Sequence, residues 1–387
     1  MVAQSGAMSR SPDVAVIGGG IIGCSAAAIL AERGATVTLY EATAIGAGAS
    51  GRNLGAIQHP FDAVLAPLYR SSLEHYWALA LLRDGFEIGT EPAGILMLNR
   101  DPDASRRQVA RLRGLAPELE ARFMDPAAVA AAEPSLVPGL AACRLSTGYP
   151  VPPAAATAAY GRLAERRGAR IRLGMAAAPW IEAGGVHGVQ LPDGSRVPSW
   201  AVLVAGGPWT PGMVDPAGAW EPIRRTWGVT VQLDLGAAAP RHVVEEDEVD
   251  AVNRPLVAEQ RASAATQAPP SLFSVASAAG ISTLGSTFLP SEPPDPAAIA
   301  RLLVERGARY LPAMATAAVR EIRVCARPQS VDGRPFIGAV AGVEGLFVCA
   351  GHGPWGISTG PASAKLAVDA LLDGAPVPKE LAADRPV

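Results

Sequence analysis

Residues 13–41 read DVAVIGGGIIGCSAAAILAERGATVTLYE, and this stretch decides the fold. Asp13–Ile17 is a short β-branched run, as a strand buried on both faces should be. It leads into Gly18-Gly19-Gly20-Ile21-Ile22-Gly23, a GxGxxG spacing. The Ala-rich segment from Cys24 to Arg33 predicts a helix that stops at Gly34. Thr36 to Tyr40 predicts a second strand, ending in Glu41. Each part has a physical task in holding a dinucleotide. Gly18 permits the tight turn, Gly20 lets the backbone approach a pyrophosphate, and Gly23 lets the helix pack close to the strand. The helix N-terminus offers N–H groups and a positive dipole end to phosphates. Glu41 is placed to accept hydrogen bonds from a ribose, which disfavours a 2′-phosphate there. The run from Val14 to Leu30 is apolar over 17 residues, at the short limit for a bilayer-crossing helix. Three successive glycines are a poor centre for such a helix, so strand, turn and helix is the better reading.

Working outward, the composition narrows the classes. A chain of 387 residues suggests two to three cores. Hydrophobic residues are 49% and charged residues 18%, which argues against disorder. Net charge is −3 and no Lys/Arg block occurs, so nucleic acid is not an expected partner. Cys24, Cys143, Cys325 and Cys349 form no CxxC pair, which removes the common zinc and thioredoxin-like patterns; no metal is expected. Met1 to Asp13 lacks the pattern of a signal peptide and reads as a mobile leader, with a reducing, cytoplasmic setting implied.

After Glu41-Ala42 comes Gly46-Ala47-Gly48-Ala49-Ser50-Gly51-Arg52-Asn53-Leu54-Gly55. This small-residue segment resembles the second nucleotide-contact segment of the FAD-dependent D-amino-acid oxidase/glycine oxidase/sarcosine oxidase superfamily. The resemblance implies that backbone around Ala42, Ala49, Ser50, Arg52, Asn53 and Gly55 meets the FAD, with Ile22 in the first loop. It also implies that the backbone of Ala177 holds the adenine. The strand from Trp200, ending Ala205-Gly206-Gly207 before Pro208-Trp209, is similar to the family strand whose end closes over the FAD.

Further motifs lie at the C-terminus. Cys325-Ala326-Arg327-Pro328 is followed by Asp332 to Gly338, a strand from Gly345 to Ala350, then Gly351-His352-Gly353-Pro354-Trp355-Gly356-Ile357-Ser358, with a helix expected over 361–372. This resembles the family's C-terminal signature, whose glycine loop and helix start face the pyrimidine side of the flavin. In amino-acid-oxidising members the residue matching Arg327 pairs with the substrate carboxylate, a task suited to a planar guanidinium. A structural Arg in a turn is the other reading. Trp355 stands where glycine oxidase-like members often carry a second Arg; it either walls the pocket or fills core. His352 is expected to meet the flavin region through its backbone, not as a base. Cys325 matches the flavin-linking Cys of sarcosine oxidase-like members. However, the Arg residues that accompany that link are replaced by Gly55 and Gln58, so non-covalent FAD is favoured.

Between these motifs, helices are expected over 61–83, 102–115, 154–167 and 295–310, the last capped by Asp295. Strands are expected at 94–98, 170–173, 186–191, 195–197 and 226–235, with a pair at 272–275 and 281–284 around Gly280. Arg241 to Asp250 holds five acids and reads as a solvated loop, continued by a small-residue connector at 262–270.

The expectation is an α/β protein: a Rossmann-like FAD-binding domain (12–60, 140–215 and 325–387) interleaved with an α+β substrate domain on an antiparallel sheet (61–139 and 216–324), after a leader at 1–11. The resemblance implies oxidation of the C–N bond of a small amine or amino acid. The electron acceptor would be oxygen or a protein or quinone partner, with homo- or hetero-oligomers both open. A dehydrogenase subunit of a heteromeric complex and a non-catalytic FAD-binding subunit are the rival readings.

Overall fold

The computed structural model describes residues 13–247 and 271–386. The leader, the connector at 262–270 and the last acids of the 241–250 run lie outside the described residues.

Two large sheets organise the chain. The first has six strands in the order Phe336–Ala339, Leu346–Ala350, Ala201–Val204, Asp13–Ile17, Thr36–Glu41, Arg170–Leu173. All neighbours are parallel except the Phe336–Ala339 edge. Asp13–Ile17 is central, as its β-branched, two-sided burial requires. Val14 and Val16 face a core built with the helices Ile21–Glu32, Ala66–Leu81, Pro153–Arg166 and Gly356–Asp373. Ala15 and Ile17 face the opposite core, which includes Val186 and Val189 of a three-stranded sheet. The chain leaves the central strand toward Thr36–Glu41 on one side and has Ala201–Val204 on the other. That order reversal opens a crevice beyond the carboxyl ends of the strands.

The second sheet has eight strands, ordered Ala318–Ser330, Ile223–Asp234, Ile281–Thr287, Ser271–Ala278, Val243–Glu246, Ile95–Asn99, Ala141–Leu145, Arg122–Met124. It is antiparallel except where Val243–Glu246 runs parallel to Ile95–Asn99. The helix Pro296–Ala308 covers one face, and Pro102–Leu115 packs over part of the other. Asp101, Asp125 and Asp295 cap their helices by accepting from the N–H groups of Asp103, Ala128 and Ala298. Since Ala141–Leu145 and the whole of Ala318–Ser330 pair within this sheet, we propose the domain crossings near 146 and 331 rather than at 140 and 325.

Two local expectations need correction. Val243–Glu246 is a buried strand and not a solvated loop, with Glu245 and Glu246 only 2% and 4% exposed. Arg306 takes Glu246 in two hydrogen bonds, at 2.7 and 2.5 Å, so the acid is paired inside. The C-terminal helix begins at Gly356, five residues ahead of Pro361. Proline has no N–H to give the Ile357 carbonyl one turn back. The Tyr76 hydroxyl donates to that carbonyl instead, at 2.7 Å, and the helix continues through the proline.

Candidate functional site

The crevice at the strand ends opens into a cavity of about 730 Å³ that runs to the eight-stranded sheet. The first glycine loop forms one end. Gly18 has φ +113°, and a Cβ there would lie 2.4 Å from the Ala205 carbonyl oxygen. A Cβ at Gly23 would lie 1.9 Å from the Gly18 oxygen, so the helix is able to approach only as glycine. Glu41 accepts from Gly19 N at 2.7 Å and from Thr43 N at 2.8 Å, which fixes its carboxylate on the cavity wall. Ser50 Oγ accepts from Ile21 N at 3.0 Å, docking the small-residue segment against the helix start.

That segment also ties the two sheets together. Arg323 is buried and donates to the carbonyls of Gly51 and Asn53, at 3.2 and 3.0 Å. Arg52 donates to the Val324 carbonyl at 2.8 Å. The Asn53 side chain closes its own turn, donating to Ser50 O and accepting from Gly55 N.

Of the predicted residues, the cavity is lined by Gly18, Gly20, Ile22, Glu41, Ala42, Ala49, Ser50, Arg52, Asn53, Ala177, Ala205, Gly206, Trp209, Gly353, Gly356 and Ile357, with Arg327, His352 and Trp355. Four do not line it. Gly23 packs on the glycine loop. Gly55 has φ +83° and would press a Cβ 2.4 Å from the Val151 carbonyl. Gly351 turns between Ile223 and Phe336. Ser358 Oγ accepts from Gln58 N at 3.0 Å. Sequence reasoning missed Gly19 as a lining residue, and on the sheet side Glu245, Ser274, Ser286 and Phe288.

Arg327 reaches across Gly228, whose Cβ, if present, would sit 2.6 Å from its nitrogens. It donates to Thr287 O at 2.8 Å and Ser286 Oγ at 2.7 Å, and lies over the Phe288 ring with 4.7 Å from Cζ to centroid. Among the described residues no carboxylate pairs with it. Burial pushes its pKa down. A desolvated cation without an acid is unfavourable, and a ligand anion would relieve it.

His352 is buried, and its Nε2 has no partner among the described residues. Burial lowers its pKa to about 3, so the ring is neutral near pH 7. Trp355 both walls the cavity and packs edge-on against Phe61, ring centroids 6.3 Å apart. Cys325 lines the cavity; burial raises its thiol pKa, opposed by the nearby charges of Arg327, Arg52 and Arg323.

FAD suits this cavity on three grounds. Two long helices, Ile21–Glu32 and Gly356–Asp373, begin on its wall with no side-chain cap on the N-cap residue and no acid in the first turn. Both positive dipole ends therefore face the same space. The glycine cradle brings backbone to the surface. The orphaned His352 nitrogen awaits a polar partner.

A family model described as FAD dependent oxidoreductase (DAO) matches residues 13–370. The chain belongs to the DAO family of FAD-dependent oxidoreductases. Glycine oxidase from Bacillus cereus is 24% identical, with 95% of this chain and 96% of that one covered and a TM-score of 0.80. Iminodiacetate oxidase from Chelativorans sp. is 24% identical, covering 95% and 98%, with a TM-score of 0.76. These likenesses establish the DAO fold. The tRNA 5-methylaminomethyl-2-thiouridine biosynthesis bifunctional protein of Chromohalobacter salexigens is 29% identical over 95% of this chain and 54% of its own length. Its counterpart from Ralstonia nicotianae is 32% identical over 39% of this chain and 25% of its own. The chain spans about half the length, or less, of these curated relatives. No helix among the described residues is long and apolar enough to cross a membrane.

Proposed function

We propose that this DAO-family chain oxidises the C–N bond of a small amine that carries a carboxylate, with FAD held non-covalently. The observation that carries the reading is Arg327. It is a half-buried guanidinium on the wall of the cofactor cavity, with no acid paired to it among the described residues. A substrate carboxylate supplies the missing anion in bidentate geometry. The names of the relatives agree in chemistry: glycine and iminodiacetate both present a C–N bond beside a carboxylate, and a methylaminomethyl group presents a C–N bond.

The cofactor would be held by the Gly18–Gly23 loop, by Glu41, by the Ala49–Asn53 turn and by the Gly353–Ile357 helix start. Bound there, FAD supplies the two-electron acceptor that turns an amine into an imine, which water hydrolyses. Arg327 fixes the carboxylate and so orients the adjacent carbon. Trp355 and Phe288 exclude water from that end. His352, neutral, offers a hydrogen-bonding nitrogen and no charge. Glycine, sarcosine, iminodiacetate and D-amino acids should be supplied aerobically to the flavin-loaded protein. The carbonyl product is then trapped as a hydrazone. A carbonyl from at least one carboxylate-bearing amine supports the reading; none from any, with flavin present, refutes it.

A further inference from the structure

The wall around Arg327 holds a hydroxyl that regular strand alternation would have turned the other way. In the eight-stranded sheet Leu284 pairs with Val231. Further along the same two segments Leu289 pairs with Trp227, through two backbone hydrogen bonds of 2.8 Å. Between these pairs, residues 228–230 face residues 285–288, three against four. The extra residue makes this a β-bulge, a device that re-aims side chains. Leu284 and Leu289 stand an odd number of positions apart, yet both enter the core packed with the helix Pro296–Ala308. On an unbroken strand Ser286 would share that face with Leu284. With the bulge it lines the cavity instead, as Phe288 does. Thr287, between them, is tied to the neighbouring strand: its Oγ1 accepts from Val229 N at 2.9 Å.

The hydroxyl so placed has an uncommitted proton. Ser286 Oγ accepts from Arg327 Nη2 at 2.7 Å. A hydroxyl carries one proton, and a guanidinium carries donors only, so that proton has to point elsewhere. Among the described residues no acceptor takes it. The cavity therefore meets an O–H donor one hydrogen bond away from the unspent N–H groups of Arg327. A ligand group that satisfies both has adjacent acceptor atoms and negative charge, which describes a carboxylate and excludes an ammonium.

We propose that Ser286 is a specificity-determining residue, whose hydroxyl donates a further hydrogen bond to the carboxylate that Arg327 clamps. This rests on the reading of Arg327 as the carboxylate clamp and deepens it. The substrate is then a free carboxylate and not its ester, because alkylating one oxygen leaves a donor of the site unpaired.

The test measures binding without turnover. Propanoate is titrated into the flavin-loaded protein, and the shift of the flavin spectrum is followed. Ser286→Ala is expected to weaken propanoate about 10- to 100-fold, the worth of one hydrogen bond to a charged group. Ser286→Cys keeps the volume but offers only a weak S–H donor, and should weaken it similarly; it also serves if the Ala variant fails to fold. Ser286→Thr keeps the hydroxyl and should retain most of the affinity. The same Ser286→Ala change is then made in an Arg327→Lys protein, which has no guanidinium for Ser286 to hold. A direct contact predicts a comparable loss there too. Wild-type affinity in the Ala or Cys variant overturns the proposal. A loss that appears only when Arg327 is present also overturns it: Ser286 then merely positions the guanidinium, and the clamp reading stands. Should Arg327→Lys bind propanoate as wild type does, the clamp reading falls, while a loss from Ser286→Ala in that protein keeps the Ser286 contact and no loss removes it.

Discussion

Arg327→Gln tests the proposed clamp most sharply. Arg carries five N–H donors. Two are spent on the Thr287 carbonyl and the Ser286 hydroxyl, which leaves three for a ligand. A hydrogen bond to a charged group contributes about 1.5–3 kcal/mol, so two to one carboxylate contribute about 3–6 kcal/mol. At about 1.4 kcal/mol per tenfold, kcat/KM for a carboxylate-bearing amine should fall about 10²- to 10⁴-fold. The loss should appear chiefly in KM, because the carboxylate is bound before and during reaction. Arg327→Lys keeps the charge but loses the fork, and should fall between wild type and the Gln variant. The assay is anaerobic rapid mixing, following the loss of flavin absorbance against substrate concentration. Flavin content and Tm report whether each variant is folded and loaded. A loaded Arg327→Gln protein that reduces with wild-type constants would refute the clamp. So would an equal loss toward an amine that has no carboxylate.

Other expected outcomes concern the cofactor cradle and its neighbours. Gly23→Ala places a methyl against the Gly18 carbonyl, which cannot yield without moving the loop, so the purified protein should carry much less flavin and melt lower; full flavin content would count against the cradle. His352 has a folded pKa of about 3 against an ordinary value of 6.5, so between those pH values the unfolded chain binds the extra proton. Its contribution to stability is therefore present above pH 6.5 and lost as pH falls, by about 1.4 kcal/mol per unit, and His352→Gln should flatten that part of a Tm-against-pH curve. Acid precipitation should release yellow flavin into the supernatant, and Cys325→Ala should leave flavin content unchanged; flavin retained in the pellet by wild type alone would show a thioether.

What the sequence discloses follows from how local each constraint is. The strand, glycine loop, helix and acid of residues 13–41 are legible because one short motif contains every partner it needs. Gly18, Gly23 and Ser50 then dock where that logic requires. Glu245 and Glu246 misled for the opposite reason. Four acids in four consecutive positions look solvated, yet two of them are strand residues, paired with Ile95–Asn99, and Arg306, 60 residues away in sequence, takes Glu246. Val243-Val244 ahead of them was the available sign of a strand. Pro361 likewise reads as a helix start until Tyr76 supplies the hydrogen bond it lacks. The sheet side of the cavity, Ser274, Ser286 and Phe288, belongs to no motif. Strand register alone gathers these residues beside Arg327 and Glu245.

The most direct test of the account is the visible spectrum of the purified protein, recorded without air as carboxylate-bearing amines are added in turn. The account predicts the two absorption bands of oxidised flavin, and their bleaching by at least one such amine. A protein that shows no flavin bands even after incubation with FAD, or a flavin that no such amine bleaches, would contradict it.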